Sequence, residues 1–202
     1  EAGRNLLFSI ILRPDLSGDR WGLITLAASV AVAETVEKIT TPYIPGIKWP
    51  NDILVQDKKC CGMLLETTPK SKTHNERQGV ILGVGLNVNQ IDFPDAIEDK
   101  ATSLRLISGH LVQRAPLFVQ LLPALRSRYK QVIEDGGTAV RKAFAERMQR
   151  VDQRVTLGYT NHDASICGVI EGIDETGGLI LGVNGEQQTF HAGDVTVDAS
   201  SC

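Results

Sequence analysis

KWPNDILVQDKKCCGMLLE, residues 48–66, decides how the rest of the chain is read. It reads as two short strands around a charged turn, and it sets Lys48, Asn51, Asp52, Lys58 and Lys59 among residues that otherwise belong in a core. Such a pattern is either a solvated hairpin tip or the wall of a site that handles charge. Pro50 fixes its own φ and biases Trp49 toward extended backbone, so Asn51 and Asp52 follow a set bend. If the path stays extended, Lys48 and Asp52 face the same way. Lys59 falls on the partner strand of the hairpin, and Gly62 follows as a strand position without a side chain. Two lysines and a carboxylate beside a glycine floor suit a ligand that carries phosphate or carboxylate. The ammonium groups neutralise negative charge, and the carboxylate can take a proton or hold Mg2+. A plain hairpin tip is the simpler reading. Against it, Lys48 precedes the bend, in the strand that leads into the core.

The run GVILGVGLNVN, residues 79–89, makes the second wall. Val80, Leu82, Val84, Leu86 and Val88 fall on one face, and Ile81, Gly83, Gly85, Asn87 and Asn89 on the other. Two glycines followed by two amides give a flat floor with hydrogen-bonding groups at one end. Glycine inside a strand costs stability and marks close approach of a ligand or of another backbone. Packing against a helix, with the asparagines as turn formers, explains the pattern equally well.

Around these runs, NLLFSIILR (5–13) alternates and reads as a strand buried on both faces, ended by Pro14. From Asp19, an N-cap candidate, to about Lys38 the apolar residues run nearly all round a buried helix. Loops cover 67–77 and 90–100. ATSLRLISG is a short helix with Thr102 or Ser103 at its cap. A longer helix from about Pro116 carries Leu117, Leu121, Leu125, Tyr129 and Ile133 as its apolar stripe and stops at Gly136-Gly137. Residues 138–149 add another short helix. From Val151 short strands alternate with turn signals, among them Glu175-Thr176-Gly177-Gly178 and Asn184-Gly185, which predict a small barrel-like unit. The expected division is 1–150 and 151–202.

Composition narrows the classes. With 202 residues, 42% apolar and 22% charged, the chain can bury a core, and a net charge of -3 argues against a broad nucleic-acid surface. The most apolar stretch, Gly22 to Ala33, is shorter than the about 20 residues a membrane span needs. No signal peptide is visible. Cys60, Cys61, Cys167 and Cys202 lack zinc-ligand spacing and read as reduced thiols, which suits the cytosol. There is no phosphate loop, dinucleotide motif or GxSxG. His74, His110, His162 and His191 read as solvated surface positions.

KWPND at 48–52, KKCCGMLLE at 58–66 and GVGLNVN at 83–89 together resemble the catalytic domain of biotin protein ligases, also called biotin–[acetyl-CoA-carboxylase] ligases. The NLLFSIILRP strand and a C-terminal segment ending in GDVTV extend the resemblance over nearly the whole chain. It implies an α/β (α+β) fold: a mixed sheet flanked by helices, like the class II aminoacyl-tRNA synthetase core, then a small SH3-like barrel. It implies ATP, biotin and Mg2+ as cofactors, a biotinyl-5'-adenylate intermediate, and transfer to a lysine of a biotin carboxyl carrier domain.

The resemblance also assigns residues. Lys48 would contact the biotin carboxylate and the α-phosphate, Asp52 would orient or deprotonate the incoming lysine or help place the metal, and Lys59 would lie near the mixed anhydride. Asn51, Gly62 and Gly85 would line the biotin and adenylate pocket, and Asn87 would face the adenosine end; no metal ligand is assigned. Trp49 and Pro50 read as scaffold. The family's glycine- and arginine-rich loop would precede the NLLFS strand, so the catalytic domain is expected to lack its N-terminal part. No DNA or membrane role follows from these residues, the setting is cytoplasmic, and a homodimer is left open. A lipoate or octanoyl protein ligase is the rival enzyme, and a non-catalytic carrier- or ligand-binding module is the rival of another class.

Overall fold

A computed structural model describes residues 3–68, 78–159 and 162–196. Five strands, β1 (Leu6–Leu12), β2 (Gly46–Lys48), β3 (Asp52–Val55), β4 (Lys58–Thr67) and β5 (Val80–Leu86), form one sheet in the order β1-β5-β4-β3-β2. Every neighbouring pair is antiparallel, which corrects the expectation of a mixed sheet. The links from β2 to β3 and from β3 to β4 are only a few residues long, whereas a parallel return needs a crossover of a dozen or more.

Helix α1 (Gly22–Thr40) packs on the inner face of this sheet, against β2, β3 and β4. It is buried nearly all round, as its sequence predicts. Ala27, Ala28, Ala31 and Ala33 keep its surface thin, and the buried hydroxyls of Ser29 and Thr35 donate to the carbonyls of Thr25 and Ala31. Asp19 is not its cap. It lies in a 3-10 turn, Gly18–Arg20, and Trp21 occupies the N-cap position without a side-chain bond. Three further helices follow: α2 (Leu104–Ser108), α3 (Arg114–Glu134) and α4 (Thr138–Ala145). Ser103 caps α2, its Oγ accepting from the Leu106 N–H at 3.2 Å. Helix α3 begins two residues before Pro116, which sits in the first turn where no intrahelical donor is needed. Leu117, Leu121 and Leu125 are buried, but Ile133 is at the surface and Val132 is buried in its place. Steps of four drift around a helix of 3.6 residues per turn.

Among the described residues the sheet is covered on one face only. On β5, Val80, Leu82, Val84 and Leu86 are buried, and the alternate residues are half-exposed. On β1, Leu7 and Ile11 are 77% and 67% exposed, so this strand is not buried on both faces as expected. The open face is the one that carries the glycines.

A second antiparallel sheet contains β6 (Arg154–Tyr159), β7 (His162–Ile173), β8 (Leu179–Val183), β9 (Glu186–Phe190) and β10 (Asp194–Thr196), in the order β10-β6-β7-β8-β9. Its apolar residues Leu157, Ile170, Leu179, Leu181 and Val195 are continuous with the first core. The turn before β8 seats against α1: a Cβ on Gly177 would stand 3.0 Å from Leu26, and one on Gly22 would stand 3.3 Å from the Thr176 carbonyl. Cys60 and Cys61 are free and buried, whereas Cys167 is disulfide-bonded, a departure from four reduced thiols. Cys167 is half-buried, whereas Cys60 and Cys61 are fully buried. His110 and His191 are exposed, as expected. His74, Cys202 and most of the 67–77 loop lie outside the described residues. Among the described residues no helix is long and apolar enough to cross a membrane.

Candidate active site

Antiparallel register assembles the site as a single row across five strands. Leu7 pairs with Gly85, Gly85 with Gly62, Gly62 with Asp52, and Asp52 with Lys48. Directly paired residues share a face of the sheet, so all five belong to the open one. A neighbouring row runs Ser9, Gly83 and Leu64. These residues line a cleft of about 970 Å³. Lys48 and Asp52 therefore face the same way, as their spacing predicts, because they end the two arms of a tight hairpin through Trp49, Pro50 and Asn51.

Lys59 reaches this face through a β-bulge. Ile53 pairs with Cys61 but Leu54 pairs with Lys59, so Cys60 is the extra residue. Without it Lys59, three positions from Gly62, would point to the opposite face. Cys60 and Cys61 both turn inward, at 0% and 1% exposure, and Lys59 is returned to the cleft. Its backbone is held from outside the sheet as well: the Lys59 N–H donates to the Lys100 carbonyl, and its own carbonyl accepts from Thr102. Burial pushes the Cys60 thiol up to about 12, and it raises Cys61 well above the usual thiol range, so neither is a thiolate at neutral pH.

Each lysine of the cleft is paired. Lys59 Nζ lies 2.6 Å from Asp52 Oδ1, and Lys48 Nζ lies 2.7 Å from Asp194 Oδ1. Asp194 opens β10 and comes from the second sheet, with Ala192 and Gly193 beside it on the cleft wall. Sequence reasoning missed these three. GDVTV was visible as a strand start, but no local signal says which strand end approaches Lys48. A buried hydrogen bond fixes the approach: Trp49 Nε1 donates to the Gly177 carbonyl at 3.0 Å. The turn that carries Gly177 is itself braced by Asp174. Burial pushes the Asp174 carboxyl up, but bonds from the Thr176 hydroxyl and from the backbone N–H groups of Gly178 and Thr176 outweigh it and hold the carboxyl below its usual value.

The glycines fall into two kinds. A methyl on Gly62 would stand 2.9 Å from Lys59 Cε, so this glycine makes room for the Lys59–Asp52 pair. A methyl on Gly83 or Gly85 would meet nothing closer than 3.7 and 3.5 Å, which is ordinary contact. Among the described residues nothing demands glycine at those two positions. Asn51 lines the cleft, and its amide donates to the Met63 carbonyl, extending β4's bonding past the bend. Asn87 is not among the lining residues; its amide donates to the Thr102 carbonyl at 3.1 Å. Lys58 also lies off the cleft, beside the exposed Gln56-Asp57 tip. The opening stretch is thus a hairpin tip at one end and a site wall at the other.

The donor set does not make a metal centre of its own. Among the described residues no three His, Cys, Asp or Glu side chains cluster, and the two carboxylates of the cleft are each bound to a lysine. Mg2+ normally keeps several waters and binds through one or two carboxylates plus the phosphates of a nucleotide.

Comparison with known proteins relates the chain to a family. The family model "Biotin/lipoate A/B protein ligase family" matches residues 1–87, and "Biotin protein ligase C terminal domain" matches 151–197. The bifunctional ligase/repressor BirA of Bacillus subtilis (strain 168) is 32% identical over 197 residues, covering 96% of this chain and 59% of that protein. A biotin–[acetyl-CoA-carboxylase] ligase of Mycobacterium tuberculosis is 31% identical over 183 residues, covering 90% of this chain and 64% of that one. The chain thus spans less than two thirds of the length of these relatives. Among solved structures, the biotin protein ligase of Aquifex aeolicus in complex with biotin and ATP superposes with a TM-score of 0.79 at 28% identity, covering 96% of this chain and 78% of that chain. The two models match in order on this fold: residues 1–87 belong to the biotin/lipoate A/B protein ligase family, and residues 151–197 to the C-terminal domain of the biotin protein ligases.

Proposed function

We propose that this chain is the catalytic and C-terminal part of an ATP-dependent biotin protein ligase, with residues 1–150 as the catalytic unit and 151–202 as an SH3-like unit. The catalytic unit is read as a class II aminoacyl-tRNA synthetase-like fold, acting in the cytoplasm where ATP is available. The observation that carries the proposal is the row Gly85–Gly62–Asp52–Lys48, two positions without side chains leading to a carboxylate and a cation. A flat apolar ligand lies on such a floor with its carboxylate at Lys48.

In the first step a biotin carboxylate oxygen bonds to the α-phosphorus of ATP. The bond from that phosphorus to the bridging oxygen breaks, and pyrophosphate leaves with the electron pair. Lys48 and Lys59 supply fixed positive charge where negative charge builds on the phosphoryl oxygens. Mg2+ bound to the nucleotide substrate would add neutralising charge on its phosphates. In the second step the amine of a biotin carboxyl carrier lysine attacks the acyl carbon, AMP leaves, and Asp52 orients that amine or takes its proton. Asn51 holds the hairpin that presents Lys48. Asn87, beyond the end of the floor, is the proposed contact for the adenosine end.

The test is to incubate the chain with ATP, Mg2+, an apo carrier domain, and either biotin or lipoate. A biotin-dependent mass gain on the carrier is expected. A gain that depends on lipoate instead would overturn the biotin assignment, and no transfer by the full-length protein would favour a non-catalytic binding module.

A further inference from the structure

Lys48 is the proposed cation for a ligand's acid group, yet in this structure it already holds an anion. Asp194 reaches across from the second sheet and places Oδ1 2.7 Å from Nζ. The two partners are unequal. The Lys48 side chain is 20% exposed and fixed in a short strand, whereas that of Asp194 is 68% exposed at the first residue of β10. A carboxylate with that much solvent around it can turn away at small cost, while the lysine stays. Both groups line the same cleft, so an arriving carboxylate or phosphate competes with Asp194 for the same ammonium.

We propose that Asp194 is a placeholder anion: it occupies the position of the ligand's acid group on Lys48 and is displaced when a carboxylate or phosphate binds. The proposal rests on the reading of this cleft as a biotin- and nucleotide-binding site. It makes the second sheet a participant in binding. Lys48 and Trp49 are adjacent, and both are bound to that sheet, Lys48 through Asp194 and Trp49 through Gly177. A ligand removes the first link and leaves the second. The filled site therefore loses the Lys48–Asp194 contact, while β10 stays paired with β6 and the Gly177 turn stays docked.

The experiment titrates the full chain with inorganic pyrophosphate, with biotin, and with biotin methyl ester, which lacks the negative charge. Wild type, Asp194→Asn and Asp194→Glu are compared by calorimetry, with thermal unfolding to confirm that each is folded. A solvent-exposed ion pair amounts to a few-fold in an equilibrium constant. Asp194→Asn should therefore bind pyrophosphate and biotin about two- to five-fold tighter, leave the ester unchanged, and be returned toward wild type by Asp194→Glu. Equal or weaker anion binding by Asp194→Asn, or no pyrophosphate binding by any of the three, overturns the proposal. Pyrophosphate binding without biotin binding would instead sink the ligase reading, while the pyrophosphate series still decides on Asp194.

Discussion

Gly83 and Gly85 allow the ligand floor to be separated from the fold. Replacing Gly85 by alanine adds one methyl whose nearest protein neighbour, Leu7 Cδ2, is 3.5 Å away; at Gly83 the nearest is the Leu64 carbonyl at 3.7 Å. Neither glycine has a positive φ, so alanine is conformationally acceptable at both. A compatible Gly→Ala change stabilises by about 0.4–1 kcal/mol through the unfolded chain, or roughly 1–4 °C in Tm for a protein of this size. Binding should move the other way. A ligand lying against the bare backbone meets the methyl, and overpacking of about 1–3 kcal/mol corresponds to roughly 5- to 150-fold weaker binding. The assay pairs differential scanning calorimetry with biotin titration of Gly83→Ala and Gly85→Ala. A lowered Tm would show that the glycines serve internal packing. A raised Tm with unchanged biotin affinity would show that no ligand rests there, and either result refutes the floor. Gly62→Ala is not an equivalent test, because its methyl displaces Lys59 from Asp52.

Lys48→Ala should leave the fold intact and lower biotin-dependent pyrophosphate release by about 100-fold or more, the scale for losing one preorganised donor to a developing charge; unchanged release would remove Lys48 from the chemistry. Trp49→Phe strands the buried Gly177 carbonyl, costs about 1–3 kcal/mol and should lower Tm by several degrees, whereas an unchanged Tm would mean that the Trp49–Gly177 bond does not hold the second sheet. Cys60 supplies a pH dependence. Its thiol is raised to about 12 in the fold, so the unfolded chain loses that proton first as pH rises. Stability from this group is complete below the ordinary thiol pKa of about 8.5 and falls from there toward pH 12. Cys60→Ala should flatten that alkaline decline in urea melts, and an equally steep decline would assign it to other groups.

The motif residues were legible because they are local. The spacing of KWPND puts Lys48 opposite Asp52 once Pro50 makes a bend, and alternation in 79–89 separates a buried valine face from a glycine face. The bulge was not legible, since Cys60-Cys61 reads as two ordinary buried residues until the register with β3 shows one to be extra. The open outer face of β1 escaped for a similar reason. Leu7 and Ile11 look like core by type, and only the absence of a covering layer among the described residues leaves them exposed. Asn87 shows the limit of pattern: it shares a face with Gly85 in sequence, but its amide is taken up by the Thr102 carbonyl.

The sequence by itself determined the strands, the buried helix and the identity of the charged groups, because periodicity, proline and glycine act over a few residues. The tertiary structure decided which charges meet. Pairing across the sheet brings Gly85, Gly62, Asp52 and Lys48 into one row, and docking of the second sheet sets Asp194 against Lys48 across 146 positions of chain. Contacts at such separation depend on packing of the whole core, which no local pattern encodes.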